Sequence, residues 1–328
     1  MKPALRRLLA MTAAGVLAAV LPAGLAVAHG PRAAQSGATA GAGAGATPGA
    51  GAGAAPGRAA GSVDGRPGFT WRPALTGPAF RGIRLAGGRG YQLHLPPERV
   101  ARSTPPVVIV LHGLNNGWQG MEQTGQWSRY ADAHGFVVAY GIGRGASWNA
   151  GACCGAAHRA RTDDVAYLVS VVADLATRYD IDRGRVYVVG FSNGDMMAIR
   201  AECDRPDVFA AAGGAAGGLV GSCRAAAGLI RVRHLHGRYD AAVPYRGGYS
   251  PYTGTSFRPV TALPRLLAAG SPRPVVAMTA LECGHLWPRW DNACHADGTD
   301  LIWRWISQFR RSAATPRQPG DRRTVPVR

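Results

Sequence analysis

Lysine is almost missing from this chain: Lys2 is the only one in 328 residues, so the formal net charge of +18 rests on arginine. No basic stripe interleaved with aromatics and no nucleic-acid motif accompanies that charge. The arginines are scattered among Ala, Gly and Pro, as in the product of a GC-rich genome. Nucleic acid is therefore not expected as a partner, while the charge leaves room for loose association with an anionic cell-wall polymer. Cysteine is absent before Cys153, which excludes a lipoprotein anchor at an earlier cysteine. The six cysteines show no C-x-x-C or His/Cys spacing of a zinc site, so neither metal nor cofactor is expected.

Large apolar side chains are also scarce outside the middle of the chain. The N-terminus carries Lys2, Arg6 and Arg7, an apolar run over 8–27, and then Ala26-Val27-Ala28. That is the pattern of a secretory signal peptide over 1–28 with an A-x-A cleavage site, rather than of a membrane span. Arg6-Arg7 has a loose likeness to a twin-arginine signal, but paired arginines are frequent in any basic n-region, so the general secretory route is the expected one. The product is expected to be extracellular, with no stable membrane anchor after cleavage. Residues 29–67 are Gly, Ala and Pro with too little apolar surface to offset their ordering, and read as a flexible tether. Residues 311–328, with Arg311, Arg317, Arg322, Arg323 and Arg328, lack a core-forming pattern and read as a disordered basic tail. Between them, 68–310 is about 240 residues, the size of one α/β domain.

An exported chain with six cysteines suggests disulfides. Cys283 and Cys294 bracket one loop, and Cys203 and Cys223 lie on consecutive segments, so these two pairings are expected. Cys153-Cys154 is left open.

Apolar runs bounded by turn residues occur at 91–95, 107–111, 136–140, 186–189, 208–212, 230–235 and 275–281. Helical patterns separate several of them, with clear helices at 164–178, capped by Thr162 or Asp163, and at 193–203. The order predicts a mostly parallel sheet flanked by helices. Strand 186–189 runs into Gly190-Phe-Ser192-Asn-Gly194 and then a helix, which is the nucleophile elbow of an α/β-hydrolase fold. A chance Gly-x-Ser-x-Gly among 46 glycines is the competing reading, and the flanking strand and helix weigh against it.

A serine hydroxyl needs a base within hydrogen-bond reach and an acid orienting that base. In this fold the acid and the histidine follow later strands, in that order. Strand 230–235 leads to Asp240 and strand 275–281 leads to His285, so Ser192, Asp240 and His285 are the expected catalytic triad. His234 and His236 sit in or at the end of a strand and read as structural, while His158 and His295 lie in polar loops. Asp163 and Asp164 have a role at a helix start, and Asp291 and Asp300 follow the histidine. The oxyanion donors are expected to be the backbone N–H groups of Asn193 and Leu114, the latter after His112-Gly113 at a strand end. Losing one such donor typically costs ~3 kcal/mol of transition-state stabilisation. Trp148, Tyr239, Tyr245 and Trp287 fall near loop ends and are candidates for stacking on a substrate, with loop packing as the alternative. Only about seventeen residues separate 212 from 230, too few for a helical lid domain, so the site is expected to be open.

With these segments in place, the chain resembles the exported polyhydroxybutyrate depolymerase and feruloyl/acetylxylan esterase group of α/β hydrolases. The resemblance rests on Tyr91-Gln-Leu-His-Leu-Pro96, Ile109-Val-Leu-His-Gly113, Gly135-Phe-Val-Val-Ala-Tyr140, Trp148-Asn-Ala-Gly-Ala-Cys-Cys154, Asp163-Asp-Val165, Asp182-Arg-Gly-Arg-Val-Tyr187, Ser192-Asn-Gly194, Phe209-Ala-Ala, His236-Gly to Val243-Pro244, and Gly284-His-Leu-Trp-Pro288. It implies hydrolysis of carboxylic esters through an acyl-enzyme on Ser192, with Asp240 and His285 completing the triad. An acyltransferase of the same fold and a catalytically silent cell-surface binding protein are the rival readings. Depolymerases of insoluble polyester usually carry a separate binding module, and nothing after Phe309 reads as one, so soluble or oligomeric esters are expected. Two departures stand out. Asp195 replaces the small residue usual after the second elbow glycine, and a carboxylate facing the pocket would repel a developing oxyanion; on that footing Asp195→Gly should raise activity. The segment 252–274 is shorter than usual and lacks a cysteine often found there, which puts the disulfide pattern and the pocket wall in doubt.

Overall fold

The computed structural model describes residues 80–223, 229–271 and 273–311. The expected leader and linker lie outside them, as does the tail beyond Arg311.

The chain opens with a hairpin of β1 (Arg81–Arg84) and β2 (Gly90–His94), followed by β3 (Val107–Leu111). Two short helices, α1 (Trp118–Gly125) and α2 (Trp127–His134), lead to β4 (Val137–Gly141). Then come α3 (Gly155–Arg159), α4 (Asp164–Arg178), β5 (Val186–Phe191), α5 (Asn193–Asp204), β6 (Ala211–Ala215) and β7 (Arg231–Gly237). A separate hairpin of β8 (Gly248–Ser250) and β9 (Thr255–Phe257), helix α6 (Leu263–Ala268), β10 (Val275–Leu281) and α7 (Gly298–Ile306) complete it. The large sheet has the order β1-β2-β4-β3-β5-β6-β7-β10. Its β1–β2 and β2–β4 pairs are antiparallel and all other pairs are parallel.

Both faces of this sheet are covered, which is why its central strands read as unbroken apolar runs. On one face Val107, Ile109, Leu111, Val186 and Val188 meet Leu168, Val171 and Leu175 of α4 and Ile199 of α5. On the other, Val108, Val110, Tyr187 and Val189 meet Trp127 of α2 and Ile302, Trp303 and Ile306 of α7. Helix α4 begins where the sequence predicts, with the Asp163 carboxylate accepting the N–H of Ala166 at 2.9 Å.

One strand is displaced from its expected position. The run 208–212 is apolar, but the strand is β6, Ala-Ala-Gly-Gly-Ala over 211–215. A Cβ on Gly213 would lie 2.5 Å from Ile302 Cγ2, and one on Gly214 would lie 2.2 Å from Asp195 Oδ1. Helices α7 and α5 approach so closely that the strand between them is built of small residues, which carry little strand signal. Between β6 and β7, the described residues 216–223 and 229–230 hold no helix, consistent with the absence of a helical lid.

Cys203–Cys223 and Cys283–Cys294 are disulfide-bonded as expected, and Cys153 pairs with its neighbour Cys154 across a cis peptide bond. The tail does not begin free at Arg311. Its backbone N–H donates to the Gly184 carbonyl at 2.8 Å and its side chain to the Arg183 carbonyl at 3.0 Å.

Candidate active site

The turn from β5 into α5 places Ser192 at φ 55° and ψ −119°, a strained conformation for a residue with a side chain. The flanking glycines are required by contact. A Cβ on Gly190 would lie 2.3 Å from the Gly194 carbonyl, and one on Gly194 would lie 2.4 Å from the Leu111 carbonyl oxygen. The turn is held by the Ser192 N–H donating to Ala215 O at 2.8 Å, and Ser192 O opens the helix by accepting from Met196 N at 3.0 Å. Ser192 is 7% exposed, so the residue is almost wholly buried in the turn.

Strands β7 and β10 are parallel neighbours, so the loops after them emerge at the same edge of the sheet. The N–H groups of Arg238 and Tyr239 donate to Leu281 O at 2.7 Å and Cys283 O at 3.0 Å, joining the two loops. His285 Nδ1 lies 2.8 Å from Asp240 Oδ2, and His285 Nε2 lies 2.9 Å from Ser192 Oγ. An ionised carboxylate only accepts, so Nδ1 carries the hydrogen and Nε2 is left to accept from the serine hydroxyl. The other oxygen, Asp240 Oδ1, accepts from the N–H groups of Ala242 at 2.9 Å and Val243 at 2.7 Å. Burial alone would raise the Asp240 carboxyl, but its contacts with His236 and His285 and the Val243 N–H outweigh this and hold it well below the usual carboxylate range. The three residues expected from the sequence are thus brought together in an arrangement able to activate a serine hydroxyl.

The loop after β3 passes beside the serine: a Cβ on Gly113 would lie 3.5 Å from Ser192 Cβ. Leu114, next in that loop, is adjacent, and Asn193 opens α5, where a first-turn N–H has no acceptor within the helix. Three contacts hold this loop. His112 Nδ1 donates to Gly113 O at 2.8 Å, His112 Nε2 accepts from Gly143 N at 3.0 Å, and Trp148 Nε1 donates to His112 O at 2.9 Å. Burial lowers the His112 pKa, which suits the neutral ring these bonds require. The Asn193 side chain accepts from Trp148 N at 2.7 Å and donates to Trp148 O at 3.0 Å. His112 and Trp148 therefore act on the site through the backbone, a role that residue type and spacing do not signal.

Two of the four aromatic candidates do not face a ligand. Trp148 is wholly buried against His112 and Tyr167. Trp287 is buried against Trp127 and Phe191, with its indole N–H on Thr299. Both fill space between loops and helices, as the packing alternative had it. Tyr245 is half-buried, with its ring 6.0 Å from that of His236. Tyr239 is 69% exposed beside Asp240, and the nearby Glu282 carboxylate raises its pKa. Sequence reasoning missed Phe191, whose ring centre is 5.0 Å from that of His285, and Leu286, a partly exposed neighbour of the histidine. Their positions next to Ser192 and His285 were the available signal.

Asp195 does not face the pocket. It is wholly buried and packs towards β6 and β7, where Oδ2 accepts from Gly217 N at 3.1 Å and lies 2.9 Å from His234 Nδ1. The expected repulsion of an oxyanion by this carboxylate pointed into the site is not what the structure contains.

The strand order, the strained serine turn and the three-residue hydrogen-bonded chain define an α/β hydrolase with a Ser-His-Asp constellation. Residues 89–246 match the family model "Esterase PHB depolymerase", and the chain is similar in sequence to feruloyl and acetylxylan esterases and to a poly(3-hydroxyalkanoate) depolymerase. It is 30% identical over 155 residues to feruloyl esterase B of Piromyces equi, covering 44% of this chain and 28% of that protein. It is 31% identical over 130 residues to poly(3-hydroxyalkanoate) depolymerase C of Paucimonas lemoignei, covering 38% and 30%. The structure of an acetyl xylan esterase from Aspergillus awamori aligns with a TM-score of 0.50 at 14% identity, covering 70% of this chain and 98% of that one, a likeness of fold. The chain spans half the length or less of curated relatives such as these.

Proposed function

We propose that this protein is a secreted serine hydrolase of carboxylic esters that works through an acyl-enzyme on Ser192. The observation that carries the reading is the chain of contacts from Ser192 Oγ to His285 Nε2 at 2.9 Å and from His285 Nδ1 to Asp240 Oδ2 at 2.8 Å. His285 takes the serine proton as Oγ attacks the ester carbonyl, and returns it to the departing alcohol as the C–O bond breaks. Water, deprotonated by His285, then attacks the acyl-enzyme; the acid leaves and Ser192 regains its proton. Asp240 holds the imidazole in the required tautomer. The N–H groups of Leu114 and Asn193 are proposed to receive the oxyanion, the latter aided by the N-terminal dipole of α5.

Secretion is supported by the three disulfides, which suit an oxidising compartment. The substrate is proposed to be a soluble or oligomeric ester with a bulky group. This rests on the absence of a helix between β6 and β7 among the described residues, and on the side chains next to the serine and histidine, Phe191, Tyr239 and Leu286. The test is labelling with a fluorophosphonate probe, alongside hydrolysis of p-nitrophenyl esters, methyl ferulate and hydroxybutyrate oligomers. Label on Ser192 that vanishes in Ser192→Ala, with turnover of at least one ester class, is expected. A folded wild-type chain that takes no label would overturn the reading.

A further inference from the structure

A buried polar chain leads away from the triad acid. His236 Nε2 lies 2.8 Å from the Val243 carbonyl and 3.3 Å from Asp240 Oδ2. His236 Nδ1 lies 3.0 Å from His234 Nε2, and His234 Nδ1 lies 2.9 Å from Asp195 Oδ2. All four side chains are almost entirely removed from solvent. The contact with Asp195 is possible because its β6 neighbour, the residue in register with His234, is Gly214.

The hydrogens in this chain can be counted. A carbonyl oxygen only accepts, so His236 Nε2 carries one hydrogen for Val243 O and the adjacent carboxylate. One hydrogen lies between the two rings, and one must be carried by His234 Nδ1 or by Asp195 Oδ2, or two lone pairs would face each other at 2.9 Å in a dry interior. Three contacts require three hydrogens, and two neutral imidazoles bring two. The chain therefore holds one proton beyond two neutral rings. Asp195 Oδ2 already accepts from Gly217 N and lies in the first turn of α5, where the dipole favours an anion. The His234 N–H is not aligned on Oδ2 as a hydrogen bond, so the close contact is better served by attraction between charges, which is less directional.

We propose that Asp195 is a positioning residue for the triad: as a buried counter-ion it retains one positive charge on the His234–His236 pair, and that charge steadies the Asp240 carboxylate that orients His285. The inference rests on the ester-hydrolase reading for its effect on rate, but not for the proton count. The other titratable groups facing the pair are Tyr245, beside His236 and under the Arg238 guanidinium, and the triad's own Asp240 and His285.

The experiment compares the full-length protein with Asp195→Asn, which removes the charge and keeps the shape; because Gly217 N and His234 Nδ1 face the same oxygen, the amide can keep one of these contacts but not both. Ring nitrogen shifts of the histidines are read by NMR in the wild type and the variant, together with kcat, KM and the pH–rate profile on a p-nitrophenyl ester. Expected are a buried, doubly protonated imidazole in the wild type that is lost in Asp195→Asn, a fall in kcat of about tenfold with KM little changed, and a displaced acid limb of the profile. Asp195→Gly is expected to lose activity as well. Two neutral rings in the wild type would mean that Asp195 itself holds the proton, and would overturn the proposal, as would an Asp195→Asn enzyme with unchanged kcat and pH profile. The wild-type spectrum decides the matter even if the variant does not fold. A wild type that shows the charged ring but hydrolyses no ester would sink the proposed function and the effect on rate, leaving the proton count standing.

Discussion

The two ends of helix α5 each bury a carboxyl group in nearly the same way, yet with different consequences. Near the N-terminus Asp195 has one oxygen on the Gly217 N–H and the other without a hydrogen-bond partner; in the last turn Glu202 has one oxygen on the Arg231 N–H, at 3.0 Å, and the other likewise without a partner. Asp195 lies against an imidazole that can share a proton with it and at the helix end where an anion is favoured. Glu202 has neither. Burial pushes its pKa up to about 8, with the Arg231 N–H and charge offsetting only part, so it is mostly neutral at pH 7. A buried carboxyl's state is thus set by what can exchange a proton with it, and burial by itself does not make it functional.

The largest expected effect breaks the comparison at the residue both ends are measured against. Asp240→Asn should lower kcat by about a thousandfold or more, because the amide cannot hold His285 in the tautomer that accepts from Ser192; steady-state kinetics on a p-nitrophenyl ester, with folding checked by circular dichroism, reads this. Asp195→Asn should fall well short of that, since it acts only through His236.

At the other end of α5, Cys203–Cys223 and Glu202 separate stability from catalysis. Replacing both cysteines by alanine releases a loop with a sequence separation of 20 and should cost about 3 kcal/mol in denaturant unfolding, with kcat nearly unchanged. Glu202→Gln should act in the opposite direction. The folded pKa of Glu202 is raised, so its contribution is fully present below the unfolded value of 4.5 and is lost as pH rises towards about 8. The variant should therefore gain nothing at pH 4 and about 3 kcal/mol at pH 7 in thermal or urea unfolding. A gain at acid pH, or a change in kcat, would merge the two ends that the comparison separates. The smallest effect is expected at the rim, where Tyr239→Ala should change KM for bulky esters by only a few-fold; a large loss of kcat would place Tyr239 in the machinery instead.

The parts of this molecule that could be read in the sequence are those where local chemistry allows few alternatives. The elbow is legible because a strained serine excludes side chains on either side of it, and Gly190 and Gly194 record that exclusion. Strands β3 and β5 are legible because a sheet covered on both faces demands unbroken apolar runs. Asp240 and His285 were found by their place after parallel strands, since loops leaving neighbouring parallel strands must meet at one edge. Strand β6 was misplaced because its small residues answer to helices on either face, and no local propensity carries that information.

The same limit governed the site's surroundings. Trp148 and Trp287 look alike as loop aromatics, and only packing shows that both are internal supports for the loops. Asp195 was visible in the sequence as an anomaly, but its meaning depended on direction. A residue on the first turn of α5 can face the pocket or the sheet, and the choice is made by the missing side chain at Gly214 and by His234 on the next strand. Residue type and order determined the fold class of this protein and the three residues, Ser192, Asp240 and His285, that its loops bring together. The tertiary structure alone decided which buried groups share protons, because that depends on contacts between strands and helices distant in the chain.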